Sequence, residues 1–144
     1  MMIEILPAVP AHIRALANNL RPADLAEVSY FGISPIKALW LSYRASTYCQ
    51  AALVDSEVAA VWGLAGTVLS TEASVWLLTS PTIERISLTF IKSARAEIRK
   101  MLTFYSRLYG QTDRNYTRAL RFLEALGFTI ENSDSQILQF SMDR

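Results

Sequence analysis

The sequence is poor in the residues from which disulfides, metal clusters and histidine-based sites are built. Its 144 residues include one cysteine, Cys49, and one histidine, His12. One cysteine excludes an internal disulfide and a cysteine-built metal cluster, and one histidine excludes any site that needs two. The five glycines are spread along the chain, but none lies between Gly66 and Gly110. We therefore expect a chain that is not stabilised by disulfides and holds no metal.

Long apolar runs are also missing. The longest, residues 58–65, is far shorter than the roughly 20 residues of a membrane-spanning helix. The first residues lack the basic and then apolar pattern of a signal peptide. Hydrophobic residues nevertheless make up 51% of the chain and charged residues 19%, a balance typical of folded rather than disordered proteins. The length predicts a single domain over residues 1–144.

Hydrophobic periodicity predicts alternating strands and helices. Pro10 and the Ser34-Pro35 pair are typical helix starts, and Gly127 is a typical helix end. The predicted elements are a strand at 3–9, helices from 10, 22 and 35, strands at 48–54, 58–64 and 74–79, a long helix at 83–105, a strand at 108–112, a helix at 115–126, and strands at 128–131 and 136–142. This order indicates an α/β protein with a mixed central sheet flanked by helices.

The element order resembles that of the GNAT acyltransferases over essentially the whole chain. The strongest local match is residues 118–128, RALRFLEALGF, which are similar to the family motif N-x-x-A-x-x-F/L-Y-x-x-x-G-F. A narrower resemblance is to the small GNAT-like internal virion proteins of short-tailed phages. It rests on residues 75–80, VWLLTS, followed by a long basic helix, and on the helix that ends at Gly127.

The GNAT resemblance implies where acyl-CoA would bind. In that family the pyrophosphate lies on backbone N–H groups at the start of the long helix, in a Q/R-x-x-G-x-G/A loop. The matching residues 79–87, TSPTIERIS, contain no glycine, Pro81 removes one donor, and Glu84 adds a negative charge. The loop is therefore either a remodelled CoA site or an ordinary proline helix start. The residues implied as cofactor contacts are Leu78, Thr79, Ser80, Arg85 and Asn115.

The acid and the base of an acyl transfer are harder to find. Many GNAT enzymes carry a tyrosine where this chain has Leu123, which cannot transfer a proton. Glu72 and Glu27 are candidate bases by position only. His12 is predicted at the surface, and Cys49 is predicted to be a buried apolar residue rather than a nucleophile. Asn115 is predicted to cap the last helix. We therefore assign no catalytic residue.

The formal net charge of +1 conceals a strongly basic segment. Residues 85–121 carry nine basic and two acidic side chains, whereas residues 1–84 and 122–144 each have a net charge of −3. Helical spacing groups Arg85 with the cations of the long helix, and Arg114 with those of the next. A basic face attracts phosphates or acidic proteins. We call the following residues the basic helical face: Lys92, Arg95, Arg99, Arg118 and Arg121.

Three functions remain open. The first is a non-catalytic, virion-associated GNAT-fold component with a degenerate acyl-CoA site, protein partners in a phage assembly and a place in the virion or host cytoplasm. It requires no cofactor. The second is an N-acetyltransferase that transfers acetyl from acetyl-CoA to an amine. The third is a module that binds nucleic acid, without base specificity, or an acidic protein through the basic helical face.

Overall fold

The computed structural model describes residues 2–30, 32–67 and 69–144. Its strands form one sheet in the order β1-β2-β3-β4-β5-β7-β6, in which β4 and β5 are parallel. The elements are β1 (Ile3–Pro7), α1 (Pro10–Ala17), α2 (Pro22–Tyr30), α3 (Pro35–Ala45), β2 (Tyr48–Val54), β3 (Glu57–Ala65), β4 (Glu72–Thr79), α4 (Ser87–Phe104), β5 (Arg107–Asp113), α5 (Thr117–Leu126), β6 (Thr129–Ile130) and β7 (Ile137–Asp143). The predicted α/β class, with a mixed sheet and flanking helices, is confirmed.

The chain divides into two compact units, and β4 contributes residues to both. The first unit comprises Met1–Ala65 and Trp76–Ile86, and the second comprises Gly66–Val75 and Ser87–Arg144. The prediction of one domain over the whole chain stays a prediction.

The first unit is built around the antiparallel β1, β2 and β3 and a core that α1 and α3 help to fill. Ile13, Leu16 and Leu39 are fully buried with side chains of the sheet. Ser34 caps α3 by accepting a hydrogen bond from the Lys37 N–H at 3.3 Å, with proline in the first turn as predicted.

The predicted hairpin between β2 and β3 is confirmed. Its two turn residues, Asp55 and Ser56, have φ values of 49° and 70°, the left-handed pair that a two-residue turn between twisted strands requires. The Asp55 carboxylate accepts the Met2 N–H at 2.8 Å, and this bond chiefly lowers the pKa of Asp55. The turn therefore brings a carboxylate to the start of β1.

In the second unit, alternate residues of β5 are buried. Leu108, Gly110 and Thr112 are buried, while the residues between them face the other way. A Cβ at Gly110 would collide with the Phe140 ring and lie 2.9 Å from the Val75 carbonyl oxygen, so this close packing requires glycine. The Phe90 and Phe122 rings stack at 5.9 Å and join α4 to α5. Gly127 ends α5 in the left-handed conformation, as predicted.

The sequence places two helix starts too early. The long helix begins at Ser87, because Pro81–Arg85 forms a 3₁₀ turn and Ile86 is non-helical at φ −131°. The last helix begins at Thr117 rather than at residue 115. Consequently Arg85 and Arg114 lie outside the helices, and the prediction that each shares a helical face with the cations that follow it is wrong.

Candidate functional site

The C-terminal end of β4 is held by a buried carboxylate from α2. The Thr79 N–H donates to Asp24 Oδ2 at 3.1 Å, and the Thr79 hydroxyl donates to the same oxygen. The Thr79 carbonyl accepts the Arg21 N–H at 3.0 Å. Both Asp24 and Thr79 are buried. Every polar group of Thr79 is therefore engaged within the first unit.

Ser80 is engaged in the same way. It is fully buried, its N–H donates to the Ala59 carbonyl at 2.9 Å, and its hydroxyl donates to the Val58 carbonyl at 2.7 Å. The Ser80 carbonyl accepts the Ile83 N–H at 3.1 Å, which closes the 3₁₀ turn. Leu78 is half-buried and packs against the core of the first unit. Thr79 and Ser80 were both predicted to contact a cofactor. Their N–H and hydroxyl groups already donate to other residues of the first unit.

Asp24 is the residue that the sequence reasoning missed. Burial raises its pKa, while the two hydrogen bonds from Thr79 and the charge of Arg21 act in the opposite direction. A signal existed in the sequence, because an acid in the first turn of a helix that begins with proline is typical of a helix start. That signal predicts an interaction with the helix itself, and nothing local predicts the bonds to Thr79.

The 3₁₀ turn after β4 presents opposite charges in pairs. The Arg85 guanidinium lies 3.4 Å from the Asp55 carboxylate, with both side chains 49% exposed. Glu84 pairs with Arg21 at 3.5 Å, and the Thr82 hydroxyl donates to Glu57 at 3.2 Å. Exposed pairs of this kind contribute little to stability. Arg85, predicted as a phosphate contact, is thus already placed at a carboxylate.

Asn115, the fifth predicted cofactor contact, belongs to the second unit. It is exposed, and its N–H donates to Asp113 Oδ1 at 2.8 Å. The residue at the N-cap of α5 is Tyr116, whose side chain makes no capping hydrogen bond. The prediction that Asn115 caps this helix is therefore wrong. Leu123, at the position of the family tyrosine, is half-buried.

His12 and Cys49 are both half-buried, whereas the sequence predicts His12 at the surface and Cys49 in the core. His12 Nδ1 accepts the Val9 N–H at 3.1 Å at the start of α1, and burial lowers its pKa. Burial raises the pKa of the Cys49 thiol to about 11, so the reactive thiolate is scarce at neutral pH. The side chain of Glu27 lies outside the described residues.

Glu72 lines an open groove of about 470 Å³ in the second unit, beside Tyr109 and Glu131. Its carboxylate pairs with Arg107 at 3.6 Å, and Arg107 also pairs with Asp143 at 3.3 Å. The Glu72 carboxylate is thus placed at a guanidinium of its own unit, and nothing in this contact singles it out as a base.

The five residues of the basic helical face are all exposed on α4 and α5. Arg95 Nη2 donates to the Ala125 carbonyl at 3.1 Å, in the last turn of α5, where a cation also complements the helix dipole. Arg114 instead donates through Nε to the Ser135 carbonyl at 2.9 Å and through Nη2 to the Ser133 carbonyl. Arg114 therefore anchors the loop before β7.

Neither a metal site nor a membrane-spanning helix is found among the residues that the structure describes. No three His, Cys, Asp or Glu side chains lie together in a way that could hold a metal ion. No helix in residues 2–30, 32–67 and 69–144 is both long and apolar enough to cross a membrane.

Comparison with solved structures identifies the class of fold. The chain superposes over 99% of its length on 90% of the GNAT domain of S. lividans PAT, with a TM-score of 0.72 at 13% identity. It matches a PaiA N-acetyltransferase from Thermoplasma acidophilum, solved with coenzyme A, over 100% of both chains, with a TM-score of 0.67 at 18% identity. The ribosomal-protein-S18-alanine N-acetyltransferase of Escherichia coli gives 0.69 at 13% identity, over 99% of this chain and 94% of that one.

These likenesses establish that the chain has the fold of GNAT acetyltransferases. No protein-family model matches the sequence, and no curated protein matches it. The expected fold is thus confirmed by structure alone.

Proposed function

We propose that this chain is a non-catalytic GNAT-fold protein with a degenerate acyl-CoA site, which serves as a virion-associated component of a short-tailed phage, either internal and structural or accessory. The observation that carries the loss of catalysis is the engagement of Thr79 and Ser80 by their own unit. The virion role rests on the sequence resemblance of residues 75–80 and of the helix ending at Gly127. Its partners would be proteins of the phage assembly.

The engaged donors oppose cofactor binding for an energetic reason. A phosphate or an amide of acyl-CoA needs backbone N–H groups that have no other partner. Here the N–H groups of Thr79 and Ser80 donate to Asp24 and Ala59, and Pro81 has none. Leaving a buried acceptor without its donor costs about 1–3 kcal/mol. Binding a cofactor through the N–H groups of Thr79 and Ser80 would therefore be weakened by this amount for each hydrogen bond that is broken.

The absence of a proton donor supports the same proposal. At the position of the family tyrosine stands Leu123, which has no ionisable proton. Without an acid there, a departing thiolate would leave unprotonated, which removes one contribution that general acid catalysis makes to the rate, about 10²–10⁴-fold.

Calorimetric titration of acetyl-CoA into the full chain tests the non-catalytic proposal. We expect no binding tighter than about 1 mM, near −4 kcal/mol. A dissociation constant near 1 μM, about −8 kcal/mol, would overturn the proposal. It would favour the alternative of an N-acetyltransferase that uses acetyl-CoA and an amine, an activity that the names of the structural neighbours suggest.

The virion role needs a separate test. Mass spectrometry of purified particles of the source phage should detect this chain at a fixed number of copies per particle. Its absence from particles in which the capsid proteins are detected would contradict a virion-associated role.

A further inference from the structure

In the second unit the two helices carry a net positive charge, and the remaining residues carry a net negative charge. α4 and α5 carry six basic and two acidic residues, whereas the rest of the unit carries three basic and five acidic residues. The acids of the groove, Glu72 and Glu131, are on the strands or beside them. The positive charge of this unit is therefore concentrated on the two helices, and it is exposed there.

The cations of α4 lie on the side of the helix opposite its buried residues. Phe90 and Ile98 are buried, while Lys92, Arg95 and Arg99 are exposed. From Lys92 to Arg99 the helix rises about 10 Å, which spans several phosphates of a nucleic acid. Glu97 is half-buried, and its spacing of two from both arginines places it on another side of the helix.

Few internal partners neutralise this face. Within residues 2–30, 32–67 and 69–144, the side chains of Lys92, Arg99 and Arg121 form no ion pair. Arg95 uses one N–H on the Ala125 carbonyl, and a guanidinium has five N–H donors, so others remain for a ligand. The bond to Ala125 also links α4 to α5, as does the Phe90–Phe122 stack. The exposed cations therefore lie on two helices that pack against each other.

We propose that the basic helical face binds the phosphate backbone of nucleic acid without reading its sequence. No aromatic residue lies between Lys92 and Arg99, or between Arg118 and Arg121, so stacking on bases is not provided for. An acidic protein is the less favoured partner, because protein interfaces depend on buried apolar anchors. The large apolar side chains exposed on the described part of α4 are Leu88 and Phe104, and they stand at the two ends of the helix rather than between Lys92 and Arg99.

Fluorescence anisotropy with a labelled 20-base-pair duplex of arbitrary sequence tests the proposal on the full chain. If about four phosphates are contacted, the logarithm of the association constant should fall against that of the salt concentration with a slope of roughly −3 to −4. A duplex of unrelated sequence should bind within about twofold of the first. A slope near zero, or strong dependence on sequence, would overturn the proposal.

The decisive variant is Lys92→Glu with Arg99→Glu, and the chain offers a matched control. Lys37 and Arg44 are also a lysine and an arginine seven residues apart, exposed on α3 of the first unit. Reversing the α4 pair should weaken duplex binding by about tenfold or more and reduce the salt slope, since each lost phosphate contact changes it by about one. Reversing the α3 pair, which changes the net charge equally, should cost less than about threefold.

Equal losses in the two variants would show that only net charge matters, and would overturn the assignment to this face. Circular dichroism establishes that both variants fold. Poly-glutamate tests the other partner: if it binds as tightly as the duplex at equal salt, the nucleic-acid proposal fails. None of these measurements requires acyl-CoA binding or its absence, so their outcome is independent of the proposed loss of catalysis.

Discussion

The end of β4 and the basic helical face differ in where their polar groups are directed. At the end of β4, Thr79 and Ser80 are buried and their donors are engaged within the first unit. On α4 and α5 the cations are exposed, and Lys92, Arg99 and Arg121 form no ion pair within the described residues. The first region is thus built for stability and the second is open to a ligand, although both were candidate phosphate contacts in the sequence.

The largest effect on stability is expected from removing the Asp24 carboxylate, which holds the end of β4. Asp24→Ala leaves the Thr79 N–H and hydroxyl buried without an acceptor, which should lower the free energy of unfolding by about 3 kcal/mol. Urea denaturation followed by circular dichroism measures the change. A loss below about 0.5 kcal/mol would mean that water replaces the carboxylate, and that the end of β4 is not closed.

The control for this variant is Asp24→Asn, which keeps an oxygen where Asp24 Oδ2 accepts both bonds. It also gives a pH prediction. Because the pKa of Asp24 is raised in the folded protein, its contribution to stability is complete below the ordinary value near 3.9 and is lost as pH rises through the raised value. The stability of the wild type relative to Asp24→Asn should therefore fall as pH increases through this range, and a rise would contradict the direction of the shift.

A smaller effect is expected at the neighbouring residue. Ser80→Ala removes the hydroxyl that donates to the Val58 carbonyl and leaves the Ser80 backbone bonds in place. The expected loss is about 1–2 kcal/mol in the same denaturation experiment. If acetyl-CoA binding appeared in this variant, the buried hydroxyl rather than Asp24 would be what closes the site.

The smallest effects are expected on the basic helical face, and they distinguish two arginines. Arg95→Gln loses the bond to the Ala125 carbonyl and should cost about 1 kcal/mol. Arg99→Gln removes an exposed cation with no ion pair among the described residues and should change stability by less than about 0.5 kcal/mol. Thermal denaturation of the two variants side by side checks the difference, and equal losses would show that the Arg95 bond contributes nothing.

Much of the fold was predictable because it depends on local patterns. A short apolar run predicted β2 at its observed bounds, Gly127 predicted the end of α5, and helical spacing predicted a shared exposed face for Lys92, Arg95 and Arg99. The site was less predictable, because its main contact joins Asp24 to a residue 55 positions away. Proline was read as the start of the long helix, but Pro81 begins a separate 3₁₀ turn. Only the tertiary structure decides between these outcomes.

The lone cysteine provides a chemical probe of the strand on which it lies. Cys49 is half-buried at the start of β2, and its raised pKa keeps it protonated, so a thiol reagent meets little thiolate while the strand is in place. Since no second thiol competes for the reagent, the rate of alkylation of the intact chain is that of this one thiol, and opening of β2 would increase it. Local opening in the first unit is thus measurable without any added label.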